Sequence, residues 1–300
     1  MAKKTTHSDL IGRERELARV AACLQAARSV LLEGPVGVGK TRLALSATQA
    51  AKRKVFRIDG DSRYSEQKLT GWFDPPAVMK KGFTKSAFIA GPLVEAMQSG
   101  GILFINELNR LPEGVQNVLL PAIDERMVSI PKLGTIEAKP GFLVIATQNP
   151  KEFVATSHLS EAILDRFELI AITYQSEAEE FEIVKDRLAV FGAKKNIREI
   201  ATASVRLTRS TRDHPRIKRG ASIRAGIAVA ELTSVFLSSG YSLHEAFLEA
   251  VLMALPTRIE IEREGDSTAS AQEEIESLLK DLSEAALENL DSPLDSEKKN

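Results

Sequence analysis

The run Gly34-Pro35-Val36-Gly37-Val38-Gly39-Lys40-Thr41 has the residue types and spacing of a phosphate cradle. Its glycines let backbone N–H groups curl around phosphate oxygens where a side chain would collide, and a helix N-terminus adds partial positive charge. The lysine of such a turn reaches the β- and γ-phosphates, and the hydroxyl after it suits Mg²⁺. The turn follows a short apolar run, Ser29-Val30-Leu31-Leu32, and opens a predicted helix, which is the context this chemistry requires. The ligands implied are ATP and Mg²⁺. Gly34, Pro35, Val36, Gly37, Val38, Gly39, Lys40 and Thr41 are the candidate binding residues, with Arg42 in the helix and Ile11 upstream completing the set.

Such a site needs an apolar strand ending in acids, and Ile102-Leu103-Phe104-Ile105-Asn106-Glu107 is the candidate. Glu107 is placed to orient or polarise an attacking water as general base. Asn106 stands with Thr41 as the candidate metal support, where an Asp is more usual. An amide accepts a hydrogen bond but carries no charge, so the expectation is real but slow turnover. Ala146-Thr147-Gln148-Asn149-Pro150 supplies a polar amide, Asn149, after another apolar run; it reads as a γ-phosphate contact or as a plain Asn-Pro turn.

Elements must hold these groups in place. Residues 13–28 and 40–54 read as helices, and Val55 to Ile58, Ile102 to Ile105 and Phe142 to Thr147 as buried strands. Gly71 to Ala90 reads as an irregular or hairpin insertion, and Met127 to Ala138 as a second hairpin. A helix begins at Pro92; another covers Pro112 to Asp124, where interior Pro121 predicts a kink. Strands alternating with helices predict α/β architecture, a parallel sheet covered on both faces. From about Ser176 the pattern is helical only. The expected organisation is a flexible N-terminus (1–8), a nucleotide-binding core (9–175), an α-helical lid (176–260) and an acidic, partly helical tail (261–300).

That tail carries twelve acidic and four basic residues, and Ile275, Leu278, Leu279, Leu282, Ala286 and Leu290 form an apolar stripe. It reads as a docked helix or as a partner-binding appendage. A formal net charge of −1 argues against nucleic acid or an acidic membrane as a general partner. The lone cysteine, Cys23, reads as a buried small hydrophobe and excludes a disulfide framework. With no apolar leader and no spanning run, the expectation is a soluble, cytoplasmic protein with no membrane partner.

Together these segments resemble the AAA+ ATPases, and closely the MoxR family. The matching text is Leu32-Glu33-Gly34-Pro35 through Gly39-Lys40-Thr41, Gly91-Pro92-Leu93, Asn106-Glu107-Leu108-Asn109-Arg110 and Ala146-Thr147-Gln148-Asn149-Pro150. It continues with Leu159-Ser160-Glu161-Ala162, Leu164-Asp165-Arg166-Phe167 and Gly220-Ala221-Ser222-Ile223-Arg224-Ala225. The resemblance implies that Asn149 is sensor 1, Arg166 an arginine finger acting on a neighbour's ATP, and Arg224 sensor 2 from the lid. It also implies a P-loop AAA+ core with hairpin insertions and a small all-α lid, working as a homo-oligomeric ring, usually a hexamer. The client or adaptor is typically a protein with a von Willebrand factor A domain. Trp72, Phe73 and Phe83, in the first insertion, become partner-contact candidates or local hairpin packing.

Chaperone-like remodelling, activation or cofactor insertion of a client is the first reading of function. A nucleic-acid motor is second, suggested by Arg206 to Arg224, where seven basic residues face one acid. That stretch also reads as a solvated lid face or an inter-subunit surface. An assembly switch with little hydrolysis, because of Asn106, is the third.

Overall fold

The structure, a computed structural model, describes residues 10–149, 159–262, 270–288, 290 and 292–296. The expected flexible N-terminus, Pro150, and residues 263–269, 289, 291 and 297–300 of the expected tail lie outside the described residues. The chain divides into two compact units. One is Met1–Pro35 with Gly39–Ile172; the other is Val36–Val38 with Thr173–Asn300.

The first unit opens with α1 (Glu14–Gln25), β1 (Val30–Glu33), α2 (Lys40–Ala50) and β2 (Val55–Asp59). Cys23 on α1 is half-buried rather than buried, because only Val20, Leu24 and Glu16 of that helix are inside. The first insertion is more ordered than an irregular loop: α3 (Glu66–Thr70), β3 (Gly71–Phe73), α4 (Pro75–Lys81) and β4 (Phe88–Ala90). β3 and β4 pair antiparallel, and Asp74 caps α4 by accepting from the Ala77 N–H at 3.2 Å. The strands meet at Gly71 (φ 122°), where a Cβ would lie 2.4 Å from the Ile89 carbonyl oxygen.

α5 (Pro92–Ser99) and β5 (Ile102–Asn106) follow. The next helix is broken into α6 (Glu113–Asn117) and α7 (Leu119–Asp124). The break at Val118 follows from Pro121, which has no N–H and whose ring crowds the carbonyl four residues earlier, that of Asn117. β6 (Met127–Ile130) and β7 (Gly134–Glu137) form the second hairpin; β8 (Leu143–Gln148), α8 (Glu161–Leu164) and β9 (Glu168–Ala171) close the unit.

β1, β2, β5, β8 and β9 make one parallel sheet in the order β2-β5-β8-β1-β9. Ile102 to Ile105 and Leu143 to Ala146 are buried throughout, as strands covered on both faces require. A side chain such as Phe104, inaccessible to solvent, contributes about 1.5–3 kcal/mol by burial. β8 runs between β5 and β1, so the carboxyl ends of three neighbouring strands open onto one edge, where ligands of such sheets bind.

The second unit holds α9 (Glu177–Phe191), α10 (Ile197–Asp213), β10 (Ile217–Arg219), α11 (Ile223–Ser238), α12 (Leu243–Ala254), β11 (Glu260–Ile261) and α13 (Ala271–Glu288). It is helical but not all-α, since β10 and β11 pair antiparallel. The short ribbon forms because His214-Pro215 ends α10, and proline cannot extend a helix. The tail helix is docked. Leu278, Leu279 and Ala286 of α13 are buried with Phe247, Val251 and Leu207.

Candidate nucleotide site

β1 ends at Glu33, and the chain turns through Gly34 to Gly39 into α2. Two positions there require glycine for different reasons. A Cβ on Gly34 would sit 2.1 Å from the Ile172 carbonyl oxygen. Gly39, with φ 91°, meets no steric neighbour, but caps α2 in the left-handed region that side chains disfavour. Lys40 Nζ donates to the carbonyls of Gly34 (2.6 Å) and Pro35 (2.7 Å), folding its amine back over the start of the turn. Arg42 is exposed on the first turn of α2, and Ile11 is half-buried ahead of α1.

The groups expected to act on the nucleotide meet at the strand ends. Thr41 Oγ1 donates to Asn106 Oδ1 at 2.8 Å. Thr147 Oγ1, on β8, donates to the same oxygen at 3.2 Å and accepts from the Glu107 N–H at 2.9 Å. Thr41, Asn106, Thr147 and Glu107 thus form one hydrogen-bonded group spanning three elements. Glu107 leaves β5 in the left-handed region (φ 61°, ψ 59°), which turns the chain into a 3-10 helix at Leu108–Arg110. Its carboxylate pairs with Arg110 Nη1 at 2.8 Å and is partly open to solvent. Asn149 is buried after β8, and its carbonyl accepts from Asn109 Nδ2 at 3.3 Å.

Neighbouring carboxylates complete the environment. Asp59 ends β2 as the register partner of Asn106. The Arg57 guanidinium beside Asp59 holds its carboxyl below the usual carboxylate range, with a smaller contribution from the Asn106 side chain. Gln148 Nε2 donates to the Glu33 carboxylate at the base of the turn.

The remaining candidates are held elsewhere. Arg166 lies just beyond α8 and pairs with Asp124 at 2.6 Å; its Nη1 also donates to the Ala162 carbonyl. Arg224 belongs to the second unit, exposed on the first turn of α11, with no ion pair among the described residues. Of the aromatic candidates, Trp72 (45% exposed) and Phe83 (48%) are open. Phe73 is not: it packs edge-on to Phe83 (centroids 5.0 Å apart) and Phe88 (5.3 Å). Lys132 of the second hairpin sits 3.9 Å from the Phe83 ring centre, tying the two insertions together.

Thr41 and Asn106 present adjacent hard oxygens, which suit Mg²⁺. No group of three or more His, Cys, Asp or Glu among the described residues forms a metal cage. The donor set therefore fits a cation that takes its other ligands from phosphate and water.

Sequence reading passed over Thr147, Asp59 and Asp124. Thr147 lay inside a quoted motif, but its partnership with Glu107 depends on the register of strands 40 residues apart.

Comparison with known proteins agrees with this fold. A family model described as an AAA domain (dynein-related subfamily) matches residues 29–167. An uncharacterized protein of Staphylococcus epidermidis is 30% identical over 216 residues, covering 71% of this chain and 81% of that protein. The gas vesicle ATPase GvpN1 of Halobacterium salinarum is 27% identical over 282 residues, covering 88% of this chain and 77% of the relative. A solved structure of Thermotoga maritima RuvB, a Holliday junction branch migration motor, aligns with TM-score 0.55 at 19% identity, covering 81% of this chain and 70% of that one. At that identity the likeness concerns the fold alone. With the phosphate turn, the strand-end acid and the five-stranded parallel sheet on one chain, the chain belongs to the AAA+ ATPase family.

Proposed function

We propose that this protein is a MoxR-like ATPase that binds ATP with Mg²⁺, hydrolyses it, and uses the cycle to remodel or activate a client protein. The observation that carries this reading is the group Thr41–Asn106–Thr147–Glu107 at the carboxyl ends of β5 and β8 beside the phosphate turn. In it, the backbone N–H groups of Val36 to Lys40 and the Lys40 amine would bind the phosphates. Thr41 and Asn106 would hold Mg²⁺, which when bound neutralises phosphate charge. Glu107 would orient the attacking water and take its proton, while Thr147 fixes where Glu107 leaves the strand. Asn149 would contact the γ-phosphate.

In this reading Arg166 acts on a neighbouring subunit's ATP and Arg224 on its own, so the working form is a ring. A cleft of about 880 Å³ in the first unit, lined in part by Trp72, Phe73, Phe88, Val128, Ile130 and Pro131, supports client binding at the insertions. The nucleic-acid reading is disfavoured by ion pairing of the basic stretch. Arg206 pairs with Glu177, Arg209 and Arg212 with Glu180, Arg216 with Glu274, Lys218 with Glu262 and Arg219 with Glu260. Among the described residues no helix is long and apolar enough to cross a membrane.

The test is turnover and ATP binding of purified Glu107→Gln. The expected result is loss of hydrolysis of about 10²-fold or more with binding retained, the range of general-base removal. Unchanged hydrolysis would overturn the role of Glu107.

A further inference from the structure

An asparagine at the metal-facing position poses a problem that an aspartate does not. A carboxylate presents an acceptor oxygen whichever way it turns; an amide presents an acceptor on one side and two donors on the other. Rotated half a turn, Asn106 would face Thr41 with N–H groups, which cannot ligate a cation. Something must decide the orientation.

In the structure Oδ1 faces Thr41 and Thr147, receiving a hydrogen bond from each. The amide nitrogen is therefore turned toward the neighbouring strand. Asp59 stands there, paired with Asn106 in the parallel register of β2 and β5, so the two side chains leave the same face of the sheet. Arg57, two residues back on that face, grips the Asp59 carboxylate with two nitrogens, at 2.7 and 3.2 Å. Such a fork fixes direction as well as distance. The pair is solvent-exposed, with 46% of Arg57 and 58% of Asp59 side-chain area open, and contributes little to folding stability. Its consequence is directional. The series Arg57, Asp59, Asn106, Thr41 runs from the rim of the sheet to the first turn of α2.

We propose that Asp59 is a positioning residue for Asn106: its carboxylate, itself held by Arg57, orients the amide nitrogen so that Oδ1 faces Thr41. The inference rests on the reading of this site as an Mg²⁺·ATP site. It predicts that carboxylate and amide are exchangeable between the two strands.

The experiment measures the affinity of the full chain for a fluorescent ATP analogue in Mg²⁺ and in EDTA, alongside thermal unfolding. For Asp59→Ala the enhancement of binding by Mg²⁺ should fall about tenfold, roughly the weight of one charge-assisted hydrogen bond. Affinity in EDTA and the unfolding temperature should stay near wild type. The exchange Asp59→Asn/Asn106→Asp, which restores one carboxylate and one amide, should return the enhancement to within about threefold of wild type. A Mg²⁺ enhancement unmoved by Asp59→Ala, or an exchanged variant no better than Asp59→Ala, overturns the proposal. If the wild type binds no nucleotide in either condition, the ATP reading falls first. If it binds and Glu107→Gln abolishes turnover while Asp59→Ala has no effect on Mg²⁺ enhancement, only the role of Asp59 is lost.

Discussion

Thr147 Oγ1 accepts the Glu107 N–H at 2.9 Å and donates its own hydrogen to Asn106 Oδ1 at 3.2 Å, although all its side chain is hidden from solvent. One hydroxyl on β8 thus joins the point where Glu107 leaves β5 to the amide oxygen that faces Thr41. Thr147→Val keeps the shape but strands the Glu107 N–H, which costs about 1–3 kcal/mol when the donor is buried. We expect lower stability in urea titration and reduced turnover. Thr147→Ser, which keeps the hydroxyl, should recover most of both.

Arg166 is held by Asp124, from the end of α7, at 2.6 Å. If Arg166 stabilises phosphoryl charge on a neighbour, its removal should lower turnover by about 10³-fold, as measured for such arginines elsewhere. Asp124→Ala should lower it less, by about tenfold, and add nothing to Arg166→Ala, because the two act through one group. Additive losses in a double-mutant cycle would mean that Asp124 acts independently.

Glu180 is inaccessible to solvent between Arg212, at 2.7 Å, and Arg209, at 3.5 Å. Burial pushes its carboxyl pKa up, and the two guanidinium groups offset only part of that rise. Glu180→Ala leaves two buried cations uncompensated and should destabilise the second unit by about 3–5 kcal/mol. Calorimetric unfolding of the full chain would show this as an early transition. A melting profile equal to wild type would count against the pairing.

With Thr41 and Asn106 as the proposed metal ligands and no cage of three or more His, Cys, Asp or Glu among the described residues, Mg²⁺ alone should leave the melting temperature unmoved. ATP with Mg²⁺ should raise it, by the equivalent of about 2.7 kcal/mol at a hundredfold excess over Kd, and EDTA should remove most of that gain. A rise with Mg²⁺ alone would point to a protein-only cation site.

Apolar strands and glycine punctuation made the sheet legible. Ile102 to Ile105 and Leu143 to Ala146 are unbroken apolar runs, and Pro121 announced its own kink. Among the elements that escaped, two did so for plain physical reasons. β9 is an edge strand with Glu168, Leu169 and Ala171 exposed, so it carries no buried run. α10 buries Thr202, Ser204, Thr208 and Arg209, so its inward face does not look apolar in the sequence. The phosphate turn was readable because its chemistry is local. The roles of Thr147 and Asp59 were not, because each depends on a register between strands far apart in the chain.

The left-handed backbone at Glu107 has one more consequence. A side chain held there carries strain of about 1 kcal/mol or more that glycine would not feel. Glu107→Gly should therefore fold at least as well as the natural chain while losing the carboxylate proposed to activate water. Any selection that rewards thermal tolerance alone would drift toward inactive proteins at this position, and only a demand for turnover would keep the glutamate in place.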